Sequence, residues 1–175
     1  MTAIESIDRQ IVDLLMEDGR MSCAEIARRI GPISERTVRY RLERLVQRGV
    51  IQVVAIPNPQ ALGYSVIADV FLQVEPASIM DVARRVAQLE CVSYVSCSMG
   101  EQDVSIQVVA RDTSEVYALV TEVIANIPGV RKTTTLLVPR ILKDVYQWHI
   151  PADESPTAKP GSRRARETGP GARRA

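Results

Sequence analysis

The sequence predicts a two-domain α+β chain in which three short helices precede a four-stranded antiparallel sheet of βαββαβ order. Three observations carry this prediction. Up to residue 50 the apolar residues recur at helical spacing and are interrupted at Gly19, Gly31 and Gly49. Between residues 65 and 141 two similar strand, helix, strand passages follow one another. Between these regions Pro57-Asn58-Pro59 removes backbone donors and forces turns, which marks a boundary. At 175 residues the two domains sit near the lower size at which an apolar core suffices, so oligomerisation is expected to contribute.

The composition narrows the class. An apolar content of 46% excludes wholesale disorder, and aromatics at 4% put the cores on Val, Ile and Leu. No apolar run is long enough to span a bilayer, and the N-terminus has no basic stretch followed by an apolar one. The expectation is a soluble cytoplasmic protein with no membrane partner. Cys23, Cys91 and Cys97 are odd in number and lack CxxC spacing, so they read as small buried apolar residues rather than a disulfide framework or redox pair. With His149 as the single histidine, no His-based metal cluster is available, and no cofactor is expected.

Each element has a local reason. Ile7, Ile11, Leu14 and Leu15 share one face of a first helix over residues 6–18, which Gly19 ends. Ser22 and Glu25 have capping-box spacing before Ile26, Ala27 and Ile30, a short second helix. Ser34 is the N-cap of a third helix with Val38, Leu42, Leu45 and Val46 on one stripe and Gly49 at its end. Three short helices with a glycine turn before the third predict a helix-turn-helix, winged-helix-like in kind, over residues 1–50. Residues 51–63 are read as a strand (Val50–Ile56) and linker. The domain at 64–150 begins with a strand at 65–75, whose Val66, Ala68, Val70, Leu72 and Val74 alternate toward the helices. A helix at 78–89 (Ile79, Val82, Ala83 and Val86 inward) and a strand at 92–98 complete the first passage. The second is a strand at 103–110, a helix at 113–127 (Val116, Leu119, Val120, Val123 and Ile124 inward) and a strand at 130–141. That order gives a ferredoxin-like sheet with both helices on one face. The other face carries Ile67 and Phe71 with no helix to cover them, which predicts a partner subunit. From residue 151 the chain turns to Pro, Ala, Ser, Gly and Arg without apolar anchors and is expected to be a disordered basic tail.

Charge points to a partner. The net charge of +1 conceals a segregation: residues 26–50 hold seven Arg against two acids, residues 1–25 two Arg against six acids, and residues 151–175 six bases against three acids. A phosphate responds to charge within about a Debye length, ~8–10 Å, so a local cluster outweighs the net value. On the third helix Arg36, Arg39, Tyr40 and Arg44 lie outside the apolar stripe, with Ser34 and Thr37 at its start. Arg36, Tyr40 and Arg44 form one row. Early residues of such a helix reach base edges in the major groove. Arg41, nearer the core stripe, fits a phosphate contact or packing. The alternative, a merely solvated polar face, does not account for the basic enrichment, the capping and the preceding helix together.

These residues carry a resemblance. Asp8-Arg9-x-Ile11-x-x-Leu14-Leu15, Ala24-Glu25-Ile26-Ala27, Ser34-Glu35-Arg36-Thr37-Val38, Arg41-Leu42-x-x-Leu45, Pro59-x-x-Leu62-Gly63 and Gly100-x-x-Asp103 together resemble the leucine-responsive/asparagine (feast/famine) regulator family over roughly residues 4–145. Pro32-Ile33 departs from the pattern by one extra residue in the turn. The resemblance implies a transcription regulator that binds double-stranded DNA as a homodimer, or as a tetramer or octamer, and answers a small-molecule effector, usually an amino acid. It gives a ligand role to the Gly100–Asp103 turn, where Asp103 can accept from an ammonium and amides beside Gly100 can donate to a carboxylate; Thr134 in Thr133-Thr134-Thr135 is a candidate hydroxyl. Read without it, Gly100–Asp103 is a hairpin turn and the threonines are strand formers. Two other functions stay open: a tetrapyrrole (sirohaem) decarboxylase of similar architecture, for which His149 is the one histidine, and a ligand-binding protein without DNA binding. No catalytic residue is expected.

Overall fold

The computed structural model describes residues 4–151. Helices α1 (Ser6–Glu17), α2 (Cys23–Ile30) and α3 (Glu35–Gln47) form as the periodicity predicts and meet at Ile11, Ile26 and Val38, all fully buried, with Ala27 beside them. Ser34 caps α3, its Oγ accepting the Thr37 N–H at 3.1 Å; Ser22 caps α2, accepting the Glu25 N–H at 3.2 Å. The other half of the expected box at α2 is not made, because the Glu25 carboxylate is taken by the guanidinium groups of Arg28 and Arg29. Val46, assigned to the buried stripe, is 44% exposed, since it sits one position past Leu45 and rotates away from the other helices. The longer α2–α3 turn closes locally, with Ile33 N–H donating to the Gly31 carbonyl at 2.6 Å while the Ile33 side chain packs on the helical core.

The division of the chain differs from the expected boundary at residue 150. Among the described residues, those from Ile4 to Ile51 form one unit together with Val145–Pro151, and Gln52–Asp144 form the other. The returning segment makes a single turn at Val145–Gln147, and His149 Nδ1 lies 3.0 Å from Asp13 Oδ1 on α1. The basic tail falls outside the described residues.

In the second unit β1 (Val66–Val74), β2 (Val92–Cys97), β3 (Val104–Ala110) and β4 (Val130–Leu137) form a sheet of order β2-β3-β1-β4 with every neighbouring pair antiparallel. Ala68, Val70, Leu72 and Val74 alternate into a core completed by β3 and by α4 (Ile79–Val86) and α5 (Thr113–Ala118). The expected strand at Val50–Ile56 is absent. A strand needs a ladder partner, and this segment finds none among the described residues, leaving Val53, Val54 and Ile56 more than half exposed. The helix expected to run to residue 127 changes form: α5 continues as a π-turn over Leu119–Ile124, closed by Ala125 N–H to Val120 O at 2.9 Å. Val116, Val120 and Ile124 are buried at intervals of four. An α-helix overshoots by about 40° over four residues, and the wider turn absorbs that drift. The same rotation puts Val123, expected inside, at 43% exposure. Gly129, at φ +95°, leads into β4 so close to α4 that an added Cβ would lie 2.5 Å from Ser78 Cβ.

Candidate nucleic-acid interface and effector turn

The outward face of α3 is built by its cap and its core stripe. With Val38 and Leu45 turned inward, Arg36, Arg39, Tyr40 and Arg44 are exposed, Tyr40 at 63%. Arg36 and Arg44 have no ion pair among the described residues. Arg39 is held by Glu35 one turn earlier at 2.6 Å, both side chains solvated, so a phosphate can compete for it. The Ser34 and Thr37 hydroxyls lie 2.9 Å apart at the N-terminus of the helix, where free amides and the helix dipole favour an anion.

Arg41 is the exception among the expected DNA contacts. Its guanidinium donates to Asp8 Oδ1 and Glu5 Oε2, each at 2.9 Å, and its side chain is 20% exposed. The two carboxylates, Glu5 first, raise its pKa further above the ordinary arginine value. Of the two roles left open by the sequence, phosphate contact and packing, these two bonds fit packing. The partners lie more than thirty residues away, so no local pattern reveals the clamp.

The Gly100–Asp103 turn is tied down by its own residues. Asp103 Oδ2 accepts the Val74 N–H at 2.7 Å, at the point where the β1–β4 register shifts between Gln73 and Val74. Ser98 Oγ and Gln73 Nε2 donate to the carbonyls of Gln102 and Glu101. Gly100, exposed at φ +149°, needs a backbone that other residues rarely adopt. Two features are left over. The N–H groups of Gly100, Glu101 and Gln102 donate to no group among the described residues. Gln102 Oε1 is buried without a partner, an acceptor the sequence reading missed because it fills an unspecified position of Gly-x-x-Asp.

Thr134 does not join this turn. It pairs with Phe71, which pairs on its other side with Ser105, so β1 stands between Thr134 and the strand that Asp103 opens. Two strand spacings, about 10 Å, separate them, too far for one small ligand to span directly. Of the cysteines, Cys23 and Cys91 are half-buried, and burial pushes the Cys91 thiol up; Cys97, expected inside, is exposed at the end of edge strand β2.

A capped, basic third helix in one unit and a four-stranded sheet with two helices in the other define the class: a two-domain helix-turn-helix regulator with a ligand-binding half. Residues 4–52 match the winged helix-turn-helix DNA-binding family, and residues 66–148 match the Lrp/AsnC ligand binding domain. An HTH-type transcriptional regulator of Pyrococcus abyssi is 40% identical over 146 residues, 83% of this chain and 89% of that one. Escherichia coli AsnC superposes with a TM-score of 0.75 at 26% identity, over 83% of this chain and 99% of that one. A transcriptional regulator of Neisseria meningitidis in complex with L-Met shares the fold at TM-score 0.75 and 21% identity, over 81% of this chain and 94% of that one. The chain belongs to the Lrp/AsnC family of transcriptional regulators. No described helix is long and apolar enough to cross a membrane.

Proposed function

We propose that this chain reads specific operator sequences in double-stranded DNA with α3 and adjusts that binding to an amino acid held at the Gly100–Asp103 turn. The observation that carries the reading is the pair of unpaired, exposed guanidinium groups, Arg36 and Arg44, in one row with Tyr40 on a capped helix. Arg36 and Tyr40 face base edges in the major groove, while Arg39, Arg44, Ser34 and Thr37 hold the backbone. The site of action is the cytoplasm of a prokaryotic cell, where the DNA is, and the activity is binding rather than catalysis.

The effector half rests on charge balance. Burying the ammonium or the carboxylate of an amino acid without a partner costs several kcal/mol, so a site needs acceptors and donors side by side. Gln102 Oε1 and the second oxygen of Asp103 are available acceptors, and the three free amides from Gly100 to Gln102 are the donors. Thr134 fits such a site only from a second copy of the chain. Pairing of copies through the sheet face bearing Ile67 and Phe71 gives a dimer, on which tetramers or octamers build.

Two measurements test this. In gel-shift titrations on the DNA upstream of its own gene, Arg36→Ala should weaken specific binding by about 1–3 kcal/mol and relax sequence preference, while Arg44→Ala weakens all sequences alike. Equal affinity of both variants and the wild type would remove α3 from the interface. A thermal-shift screen of the twenty amino acids should find a ligand for the wild type that Gln102→Met binds poorly; Gln102→Met spares the Asp103 bond to Val74, which Asp103→Ala would break. A ligand bound equally by both proteins would leave the turn a purely structural element.

A further inference from the structure

The helical unit receives its last described residues from the far end of the chain. Val145–Pro151 belong to it, with a turn at Val145–Gln147 and His149 Nδ1 3.0 Å from Asp13 Oδ1 on α1. The sequence beyond Pro151 therefore leaves from the unit that carries α3, not from the sheet unit. Its charges are sorted. Residues 152–158 hold Asp153 and Glu154 and no base, whereas residues 159–175 hold Lys159, Arg163, Arg164, Arg166, Arg173 and Arg174 against the single acid Glu167. No Val, Ile, Leu, Met or aromatic residue occurs after Ile150. Such a segment has little apolar area to bury in a protein groove, so charge selects its partner.

The acidic start of the chain is a poor dock for these arginines, because its six acids already have partners. Glu5 and Asp8 hold Arg41, Asp13 meets His149, Glu17 and Glu25 hold Arg29, Glu25 also holds Arg28, and Asp18 Oδ1 accepts the Arg20 N–H. Reach favours a duplex lying on α3. The twelve steps from Pro151 to Arg163 span at most about 40 Å. A unit of about 55 described residues has a radius of gyration near ~10 Å, so the arginines can pass its edge from any side. We propose that residues 159–175 form a second, sequence-independent DNA contact, in which the five arginines pair with phosphates flanking the bases read by α3. Where this contact falls rests on the reading of α3 as the helix in the major groove. The planar guanidinium fork suits phosphate oxygens, and each pairing releases condensed counterions, which makes the contact salt-dependent. Phosphates carry no sequence information directly, so every duplex gains alike.

The test compares the full chain with a variant carrying Arg163→Gln, Arg164→Gln, Arg166→Gln, Arg173→Gln and Arg174→Gln together. Fluorescence-anisotropy titrations use the DNA upstream of its own gene and an unrelated duplex, from about 50 to about 300 mM salt. In the Gln variant both affinities should fall at least about tenfold at low salt and by the same factor. The slope of log K against log salt should become less steep by at least about 2. A second variant with Arg→Lys at the same five positions keeps the charge and should stay within about threefold of the wild type. Thermal unfolding should be the same in all three proteins. Unchanged affinity and slope in the Gln variant overturn the proposal, as does a Lys variant as weak as the Gln one. A gain in DNA affinity also overturns it, because the arginines then cover the protein itself. So does a lowered melting temperature, which places them against the folded body, or a loss confined to the upstream DNA, which makes them base readers. Arginine-dependent binding to phosphatidylserine vesicles, with DNA affinity unmoved, assigns the segment to a membrane surface instead. The reading of α3 fails separately: Arg36→Ala and Arg44→Ala then leave DNA binding intact whatever the Gln variant does.

Discussion

Replacing Arg41 with Met separates the arginine that ties α1 to α3 from those proposed to face DNA. The substitution keeps the aliphatic stem and removes two charge-assisted bonds of 2.9 Å, to Asp8 and Glu5. The Glu5 arm is 60% exposed and contributes at most about 1 kcal/mol. The Asp8 arm differs, because Asp8 is only 14% exposed and loses the partner that offsets its partial desolvation. At an effective dielectric constant near 20 the pair is worth about 4 kcal/mol of Coulomb energy at ~4 Å between charge centres, and desolvation of both groups takes back roughly half. The expected loss is therefore about 2–3 kcal/mol. For a unit this small that lowers its melting temperature by about 10–20 °C. Urea denaturation followed by circular dichroism reads the loss, and a double-mutant cycle with Asp8→Asn should return a coupling of about 1–2 kcal/mol. At temperatures where the variant is folded, its preference among operator sequences should match the wild type. If stability falls by less than 0.5 kcal/mol on the order-of-magnitude scale of surface substitutions while DNA affinity collapses, the clamp reasoning is wrong and Arg41 contacts phosphate.

Three further outcomes are expected. Gly129→Ala combines a strained φ with a contact 2.5 Å from Ser78 Cβ, so it should destabilise the sheet unit by about 2–4 kcal/mol in urea melts; a neutral result would mean that α4 shifts freely. Phe71→Asp puts a charge at the centre of the helix-free sheet face and should shift the chain toward monomers in analytical ultracentrifugation; an unchanged oligomer places the interface elsewhere. The Glu25 carboxyl is held below its ordinary value of 4.5, first by Arg28 and then by Arg29. A depressed folded-state pKa contributes stability that is present above the unfolded value and lost as pH falls through the folded one. Glu25→Gln should thus narrow the stability gap to the wild type below pH 4.5, and a gap independent of pH would contradict the pairing.

Sequence periodicity made legible whatever depends on neighbours within one turn or one strand. The caps at Ser22 and Ser34, the alternation from Ala68 to Val74 and the exposed row Arg36, Tyr40, Arg44 are of this kind. What escaped depends on distant partners. Val50–Ile56 has the composition of a strand, but pairing is decided by what lies alongside, and no strand among the described residues does. Val46 and Val123 are apolar and sit at plausible helical positions, yet one extra step of rotation and one π-turn put them in solvent. Arg41 stood out by its place near the core stripe, but its partners Asp8 and Glu5 became visible only in the fold. In the Gly100–Asp103 turn the motif drew attention to Asp103, whereas the unpaired buried acceptor is Gln102, whose identity the motif does not specify. Thr134 was linked to the turn by the idea that the last strand runs nearby; the order β2-β3-β1-β4 places β1 between them.

The contact between Asp13 and His149 spans 136 positions of sequence. During synthesis α1, α2 and α3 leave the ribosome first, yet their unit gains its last neighbour only when almost the whole chain has emerged. Such closure over a long loop adds conformational entropy cost that local helix formation does not carry, so the unit assembles from nearby contacts early and is finished late. A fragment ending at Ile51 is consequently a truncated version of the unit rather than an isolated copy of it. His149 thus belongs with α1 even though the last strand of the sheet ends at Leu137.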